Sequence, residues 1–277
     1  MHPFPIIWQH GQWAQAHQTG IDIADLGLNR GYAVFDFLKV LQGRPLYLAQ
    51  HLQRLWHSAT AMHLAIPFTQ QQIADAVHAL LVQNNATDAG VKILVTGGTH
   101  PSGYGIGSPQ VLISLQPLVL PQPADHERGI RVMTWPHQRE LAHIKTTNYA
   151  MGIWLQPRLA AAGLHDVLYH QHDHVLESPR SNVFALLPDG TLVTPATGIL
   201  HGITRQQVLH LASSWLPVQE RPLPLQALLQ ATEVFICSTT RRIMPVVAID
   251  GQPVGNGQAG PISLQLLQQL LQHEMTQ

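Results

Sequence analysis

Pro117, Pro121 and Pro123 fall close together near the middle of the chain. Each proline fixes φ and removes a backbone donor, so neither a helix interior nor a central strand runs through such a stretch. Residues 117–128 therefore read as a linker. It separates an N-terminal domain over 1–116 from a larger C-terminal domain over 129–277. The length of 277 residues agrees, being about two domains' worth of chain. On both sides of the break, strand and helix patterns mix without strict βαβ alternation. That predicts two α+β domains rather than a doubly wound sheet.

Before the break, residues 5–15 read as a hairpin around His10-Gly11, and AVFDFLKVL over 33–41 as a strand. Gly43-Arg44-Pro45 is a turn, after which Leu46-Tyr47-Leu48 should be extended. Leu52, Leu55, Trp56, Ala59 and Met62 then recur at helical spacing. Thr69 and Gln72 make a capping-box pattern ahead of a second helix with Ile73, Val77, Leu80 and Leu81 on one face. Strands over 91–96 and 110–115 flank a Gly-rich loop. After the break come a strand over 130–135 and a helix over 148–162 that Pro157 should kink. Strands follow near 166–171, 174–178, 182–187 and 191–194. A helix starts near Thr204, 233–238 is a strand, 245–249 is extended, and 262–274 is a terminal helix. Pairing in this half should be mostly antiparallel.

Composition excludes several classes. Fifteen basic residues against sixteen acidic ones leave a net charge of -1, with no basic stripe for nucleic acid. Charged residues are only 11% of the chain, and Gln together with eighteen His carries much of the polarity. No apolar run approaches the ~18 residues of a membrane span. Met1-His2-Pro3-Phe4-Pro5 lacks a basic segment followed by an apolar one. The single Cys237 excludes an intramolecular disulfide and fits a reducing compartment. A cytoplasmic protein without nucleic-acid or membrane partners is expected.

Three lysines are present, Lys39, Lys92 and Lys145, against twelve arginines. Lys39 lies inside a strand and reads as solvent-facing, and Lys92 as a surface charge. Lys145, in HIKTTNYA, sits between a strand-loop and a helix, outside any buried periodicity. It is the best candidate for a nucleophilic amine. Glu177 closes an apolar strand before a Ser-Pro turn, where a carboxylate could pair with a cationic ring nitrogen. Gly202-Ile203-Thr204 leads into a helix, and amides at such a start make an anion site. Thr239 and Thr240, after the strand EVFIC, could cradle a phosphate. Arg54, on the first long helix, could add a guanidinium. An amine, a carboxylate, two hydroxyl-bearing cradles and an arginine are what pyridoxal phosphate requires.

Six stretches, RGYAVFDFLKV, HLQRL, IKTTNYA, LESPRSNVFAL, GILHGITRQQVL and CSTTRRIMPV, run in order over residues 30–250. Together they resemble the fold-type IV, or class IV, pyridoxal-phosphate aminotransferases, and the pattern is most similar to a divergent D-amino acid transaminase. The resemblance implies two α+β domains with the cofactor between them, and a homodimer whose partner chain helps to close the site. It implies Lys145 as the Schiff-base lysine and proton shuttle, with Glu177 at the pyridine nitrogen. Arg54, Ile203, Thr204 and Thr240 would hold the phosphate, with Thr239 nearby, and Tyr149 would reach the phenolic oxygen. Amino acids and 2-oxo acids would be the substrates, with D-amino acids as donors and 2-oxoglutarate or pyruvate as acceptor. A branched-chain L-amino acid aminotransferase and an aminodeoxychorismate lyase are the alternatives.

The chain also departs from the family pattern. Tyr32-Ala33 stands where the family has Asp-Gly. The loop TGGTHPSGYGIG carries Ser102 and Tyr104 where the best-known D-amino acid transaminases carry an Arg and a His that trap the substrate carboxylate. Arg30 and Arg180 lie close to site motifs and are the expected replacements. His170, His172 and His174 alternate as zinc ligands on one strand would, but Asp173 makes QHDH read as a hairpin tip that splays the imidazoles apart. No metal is expected.

Overall fold

A computed structural model describes residues 3–276; residues 1–2 and 277, at the ends of the two expected domains, lie outside the described residues. The chain divides into two compact units. One runs through Val119 and takes in Ile144–Asn148; the other comprises Leu120–His143 and Tyr149–Thr276.

In the first unit, strands β1 (Ile6–Gln9), β2 (Gln12–Gln15), β3 (Ala33–Leu41), β4 (Arg44–Pro45), β5 (Ala89–Thr96) and β6 (Val111–Gln116) form a sheet in the order β2-β1-β6-β5-β3-β4. All its pairings are antiparallel. The hairpin β1–β2 turns on His10 and Gly11, both at positive φ (48° and 92°), as a tight two-residue connection requires. Helices α1 (Leu26–Asn29), α2 (Leu48–Ala61) and α3 (Gln70–Gln83) complete the unit. Leu52, Leu55 and Ala59 of α2, with Ile73, Val77 and Leu80 of α3, pack with Val34, Leu38, Ile93 and Ile113 of the sheet. The helical spacing of those residues is thus the spacing of one core face. The Thr69 hydroxyl accepts the Gln72 N–H (3.1 Å), and the Gln72 side chain accepts the Thr69 N–H (2.8 Å), so the capping box is complete.

Three expectations fail here, the first at Arg44 and Pro45, which pair with Leu41 and Val40 as strand β4 instead of completing a turn. Leu46 and Tyr47 do not extend a strand, because Tyr47 turns left-handed (φ 56°) and opens α2 directly. Lys39 is not solvent-facing: it is 3% exposed. Its strand is covered on both faces, since even Phe35 and Phe37 on the Lys39 face are half-buried. Alternation names the face but not whether water reaches it. Lys92 is half-buried, its ammonium 5.3 Å from the Phe35 ring centre.

In the second unit, the strands are β7 (Ile130–Pro136), β8 (Asp166–Gln171), β9 (His174–Val175), β10 (Glu177–Ser178), β11 (Ser181–Leu186), β12 (Leu192–Thr194), β13 (Val218–Glu220), β14 (Leu223–Pro224), β15 (Glu233–Ser238), β16 (Arg242–Ile249) and β17 (Gln252–Pro253). The main order is β13-β12-β11-β15-β16-β7-β8-β9-β14, with β10 paired to β11 and β17 to β16. The β7–β8, β7–β16 and β12–β13 pairs are parallel and the others antiparallel. Its helices are α4 (Pro123–Arg128), α5 (Ala150–Trp154), α6 (Gln156–Ala161), α7 (Ile203–Ala212), α8 (Leu225–Leu229) and α9 (Pro261–Met275). Val183, Ala185, Val234 and Ile236 belong to one apolar cluster, and Phe184, Leu186, Phe235 and Cys237 to another. Alternate residues along β11 and β15 therefore feed opposite faces, and both faces are buried. Burial pushes the Cys237 thiol up to about 12, so it is inert at neutral pH.

Part of the expected linker is ordered. Pro123 opens α4, where its missing N–H costs nothing, and Gln122 pairs with Asp125 as a capping box. Pro157 does more than kink the helix after Lys145: α5 and α6 are separate and meet at Leu155. His172 and Asp173, both at positive φ, form the tip of the β8–β9 hairpin, as the QHDH reading requires. Among the described residues, no group of three or more His, Cys, Asp or Glu is arranged to hold a metal ion, and no helix is long and apolar enough to cross a membrane.

Removing the α3 cap tests the energetic reading. Thr69→Ala should cost about 1 kcal/mol, the usual value of a lost N-cap. The expected outcome is a lower denaturant midpoint for the first unit with unchanged turnover.

Candidate active site

Lys145 is fixed by the first unit. The short segment Ile144–Asn148 runs antiparallel to the start of β3, bridging Thr146 to Val34. The Phe35 N–H donates to the Lys145 carbonyl (3.0 Å), and the Thr147 N–H donates to the Ala33 carbonyl (3.0 Å). The Thr147 hydroxyl donates to the Gly31 carbonyl (3.1 Å), and the Lys145 N–H donates to the buried Ser58 hydroxyl of α2 (3.2 Å). Ile144 anchors the segment in the first core. The Lys145 ammonium stands 4.6 Å from the Phe35 ring centre. Lys145 was expected in the C-terminal domain; its segment packs with the first unit instead.

Arg54 is tied to the same strand. Its Nε donates to Asp36 Oδ2 (2.9 Å) and its Nη2 to Asp36 Oδ1 (2.8 Å), a forked pair on a fully buried carboxylate. His51 Nδ1 lies 2.7 Å from the same Oδ1. Burial alone would raise the Asp36 carboxyl, but Arg54 and His51 outweigh it and hold it well below the usual range. Burial lowers His51 against the pull of Asp36, and the charges of Arg54 and Lys145 lower it further. A neutral His51 therefore donates Nδ1–H to an ionised Asp36. Asp36 and His51 are partners of Arg54 that sequence reasoning passed over. The usable signal was HLQRL itself: His51, Arg54 and Ser58 follow one another at i, i+3 and i+7 on α2, a polar stripe beside the buried Leu52, Leu55 and Ala59.

Arg30 caps the C-terminal end of α1 and is exposed. The next residue is Gly31, at φ 64°, whose carbonyl receives the Thr147 hydroxyl. One hydrogen bond thus ties the Arg30 turn to the Lys145 segment.

The second unit holds Glu177, which is 4% exposed. Arg139 approaches its Oε1 through Nε (2.8 Å) and Nη2 (2.7 Å), and Arg139 also donates to the Ala142 carbonyl. The Leu200 N–H donates to Glu177 Oε2 (3.0 Å), while the Leu200 carbonyl accepts from Asn182 Nδ2 (2.7 Å). Leu200 is thereby clamped two residues before Gly202, the N-cap of α7. A Cβ on Gly202 would sit 2.2 Å from Asn182 Oδ1, so the approach requires glycine. Gly202 offers no side chain to the first-turn amides of Ile203 and Thr204, which leaves that helix end suited to an anion. Register completes the set. Glu177 pairs with Asn182 and Asn182 with Cys237, so the Thr239-Thr240 turn after β15 lies at the same sheet end. Arg180 is exposed in the β10–β11 turn. Tyr149 is the half-buried N-cap of α5. Arg139 was missed at the sequence level, because a loop residue far from its partner leaves no periodic signature.

These residues fit a phosphorylated, ring-bearing cofactor. A carboxylate paired with an arginine can also accept from a cationic ring nitrogen, since each carboxylate oxygen accepts more than one hydrogen bond. The Ser178 and Ser181 hydroxyls on the Glu177 hairpin are buried without a hydrogen-bond partner, and a polar ligand would satisfy them.

Residues 33–249 match the model of the amino-transferase class IV family. A D-alanine aminotransferase from Bacillus licheniformis is 30% identical over 260 residues, covering 92% of each chain. Among solved structures, a T.th. branched-chain amino acid aminotransferase with pyridoxamine 5'-phosphate superposes with a TM-score of 0.90 at 23% identity, covering 99% of this chain and 95% of that one. The Escherichia coli branched-chain amino acid aminotransferase gives a TM-score of 0.88 at 25% identity, covering 96% and 93%. The chain belongs to the class IV aminotransferases, pyridoxal-phosphate enzymes of fold type IV that move an amino group between amino acids and 2-oxo acids.

The depressed histidines set a pH dependence. His51, His126 and His137 are all lowered, first of all by burial. Unfolded imidazoles take up protons as pH falls through about 6.5, while these resist, so acid favours the unfolded chain. Asp36 opposes nothing in that window, because its contribution is lost only in stronger acid. Thermal melts should show stability falling from pH 7.5 to pH 5, with a shallower slope in His51→Asn. A flat or rising profile would contradict the buried neutral histidines.

Proposed function

We propose that the enzyme moves the amino group of D-amino acids to 2-oxoglutarate or pyruvate, as a cytoplasmic homodimer. Pyridoxal phosphate, when bound, supplies a ring that withdraws electrons from the substrate's α-carbon. Lys145 would hold the cofactor through Nζ and, as a free amine, would move the substrate's α-proton. Glu177, bonded to Arg139, would hold the proton on the ring nitrogen. Tyr149 meets the ring's phenolic oxygen. The amides of Ile203 and Thr204, the Thr239-Thr240 turn and Arg54 hold the phosphate. Arg30 and Arg180 take the substrate carboxylate.

One observation carries the assignment of the lysine. Lys39 and Lys92 lie within the ladders of β3 and β5, whereas the Lys145 peptide stands outside the regular strands and is held by β3 and by α2. The D-amino acid reading draws support from the D-alanine aminotransferase relative, aligned along nearly the whole chain. Arg30 and Arg180 support it too, as exposed guanidinium groups beside site motifs, because a planar fork suits a carboxylate. The likeness to the Escherichia coli enzyme favours a second reading, a branched-chain L-amino acid aminotransferase.

A half-reaction panel of D-alanine, D-glutamate and L-leucine, followed by absorbance, decides between them. D-amino acids should convert the bound cofactor faster; preference for L-leucine would replace the D reading. Arg30→Ala and Arg180→Ala should each lower kcat/KM roughly ten- to a hundredfold, the cost of one charge-assisted contact. Wild-type values in both would place the carboxylate elsewhere.

Glu177→Gln tests the ring contact separately. The variant should retain cofactor but slow the first half-reaction by far more than it weakens binding. An unchanged half-reaction would remove Glu177 from the ring nitrogen.

A further inference from the structure

His51 has no part in the function proposed above, yet it is 2% exposed and bonded to a fully buried carboxylate. Asp36 Oδ1 receives three donors: the Phe37 N–H (2.7 Å), His51 Nδ1 (2.7 Å) and Arg54 Nη2 (2.8 Å). Oδ2 receives Arg54 Nε (2.9 Å). Arg54 Nη2 and His51 Nδ1 stand 3.4 Å apart, as two donors side by side on one oxygen do. A carboxylate held only by an arginine can exchange one forked pairing for another. With the backbone and an imidazole also on Oδ1, Asp36 is itself held in place, and Arg54 meets it through its Nε/Nη2 edge.

We propose that His51 is a positioning residue that acts through Asp36 to fix Arg54 for the phosphate of the cofactor. The inference rests on the reading of Arg54 as a phosphate ligand. The role needs no contact between His51 and the phosphate or the ring. The contribution of His51 is geometric: it holds Asp36, and through it Arg54, so that less ordering remains to be done when a dianion binds. The role requires a donor at the Nδ1 position.

The test uses the full-length enzyme stripped of cofactor, with pyridoxal phosphate and phosphate-free pyridoxal as paired ligands. In His51→Leu, the affinity for pyridoxal phosphate should fall about tenfold or more, the scale seen when the partner of a binding group is removed. Affinity for pyridoxal should stay within about twofold, because the ring contacts are untouched. His51→Asn places an amide N–H where Nδ1–H stood and should restore most of the loss. Asp36→Asn breaks the fork at nearly constant volume and reports on the clamp if the leucine variant does not fold. Arg54→Lys gives the reference. If Arg54→Lys lowers the ratio of the two affinities and the His51 and Asp36 variants do not, the positioning role is wrong and Arg54 keeps its own. If no variant changes the ratio, Arg54 is not the phosphate ligand and the inference falls with it. Equal loss of both ligands in His51→Leu would mean a general structural role and would also overturn it.

Discussion

Two backbone hydrogen bonds, from Phe35 to the Lys145 carbonyl and from Thr147 to the Ala33 carbonyl, decide where Lys145, the amine proposed to react, stands. A lysine in a free loop samples many rotamers, and ordering such a side chain costs up to about 2 kcal/mol. Pairing the segment with β3 fixes the Lys145 backbone before any ligand arrives. It also sets the amine over Phe35, on a strand whose opposite face carries Asp36 into the core. Arg54 and His51 follow from that placement, because α2 must lay its buried stripe on the same strand. The sequence of contacts runs from strand to lysine on one side and from strand to arginine on the other.

The second unit uses a comparable economy. Leu200 is held at its N–H by Glu177 and at its carbonyl by Asn182. A single residue therefore couples the carboxylate to the start of α7. Gly202 completes the connection, since any side chain there would strike Asn182. Strand register, rather than loop conformation, then brings the Thr239-Thr240 turn to the same sheet end. A site built on paired strands is more rigid than one built on free loops, which is what transition-state positioning demands.

Much of this was legible before any coordinates. The helical spacing of Leu52, Leu55 and Ala59 and the Thr69–Gln72 box describe local periodicities, and local rules govern them. The six family stretches named the class of enzyme and its cofactor. What stayed hidden depends on pairing between distant residues. Lys39 looked solvent-facing because alternation cannot say that a strand's second face is also covered. Arg139 left no trace, since its partner Glu177 lies in another part of the chain. The helix within residues 117–128 was hidden by its own prolines: Pro123 reads as a breaker in isolation but is a favoured first residue of a helix.

The central claim is that Lys145, and neither Lys39 nor Lys92, carries the cofactor. Borohydride reduction of the holoenzyme fixes the lysine–cofactor bond, and peptide mapping by mass spectrometry then locates it. The account predicts one modified peptide, containing His143-Ile144-Lys145-Thr146-Thr147. A modification on Lys39 or Lys92, or no fixed cofactor at all in a fully loaded enzyme, would contradict it.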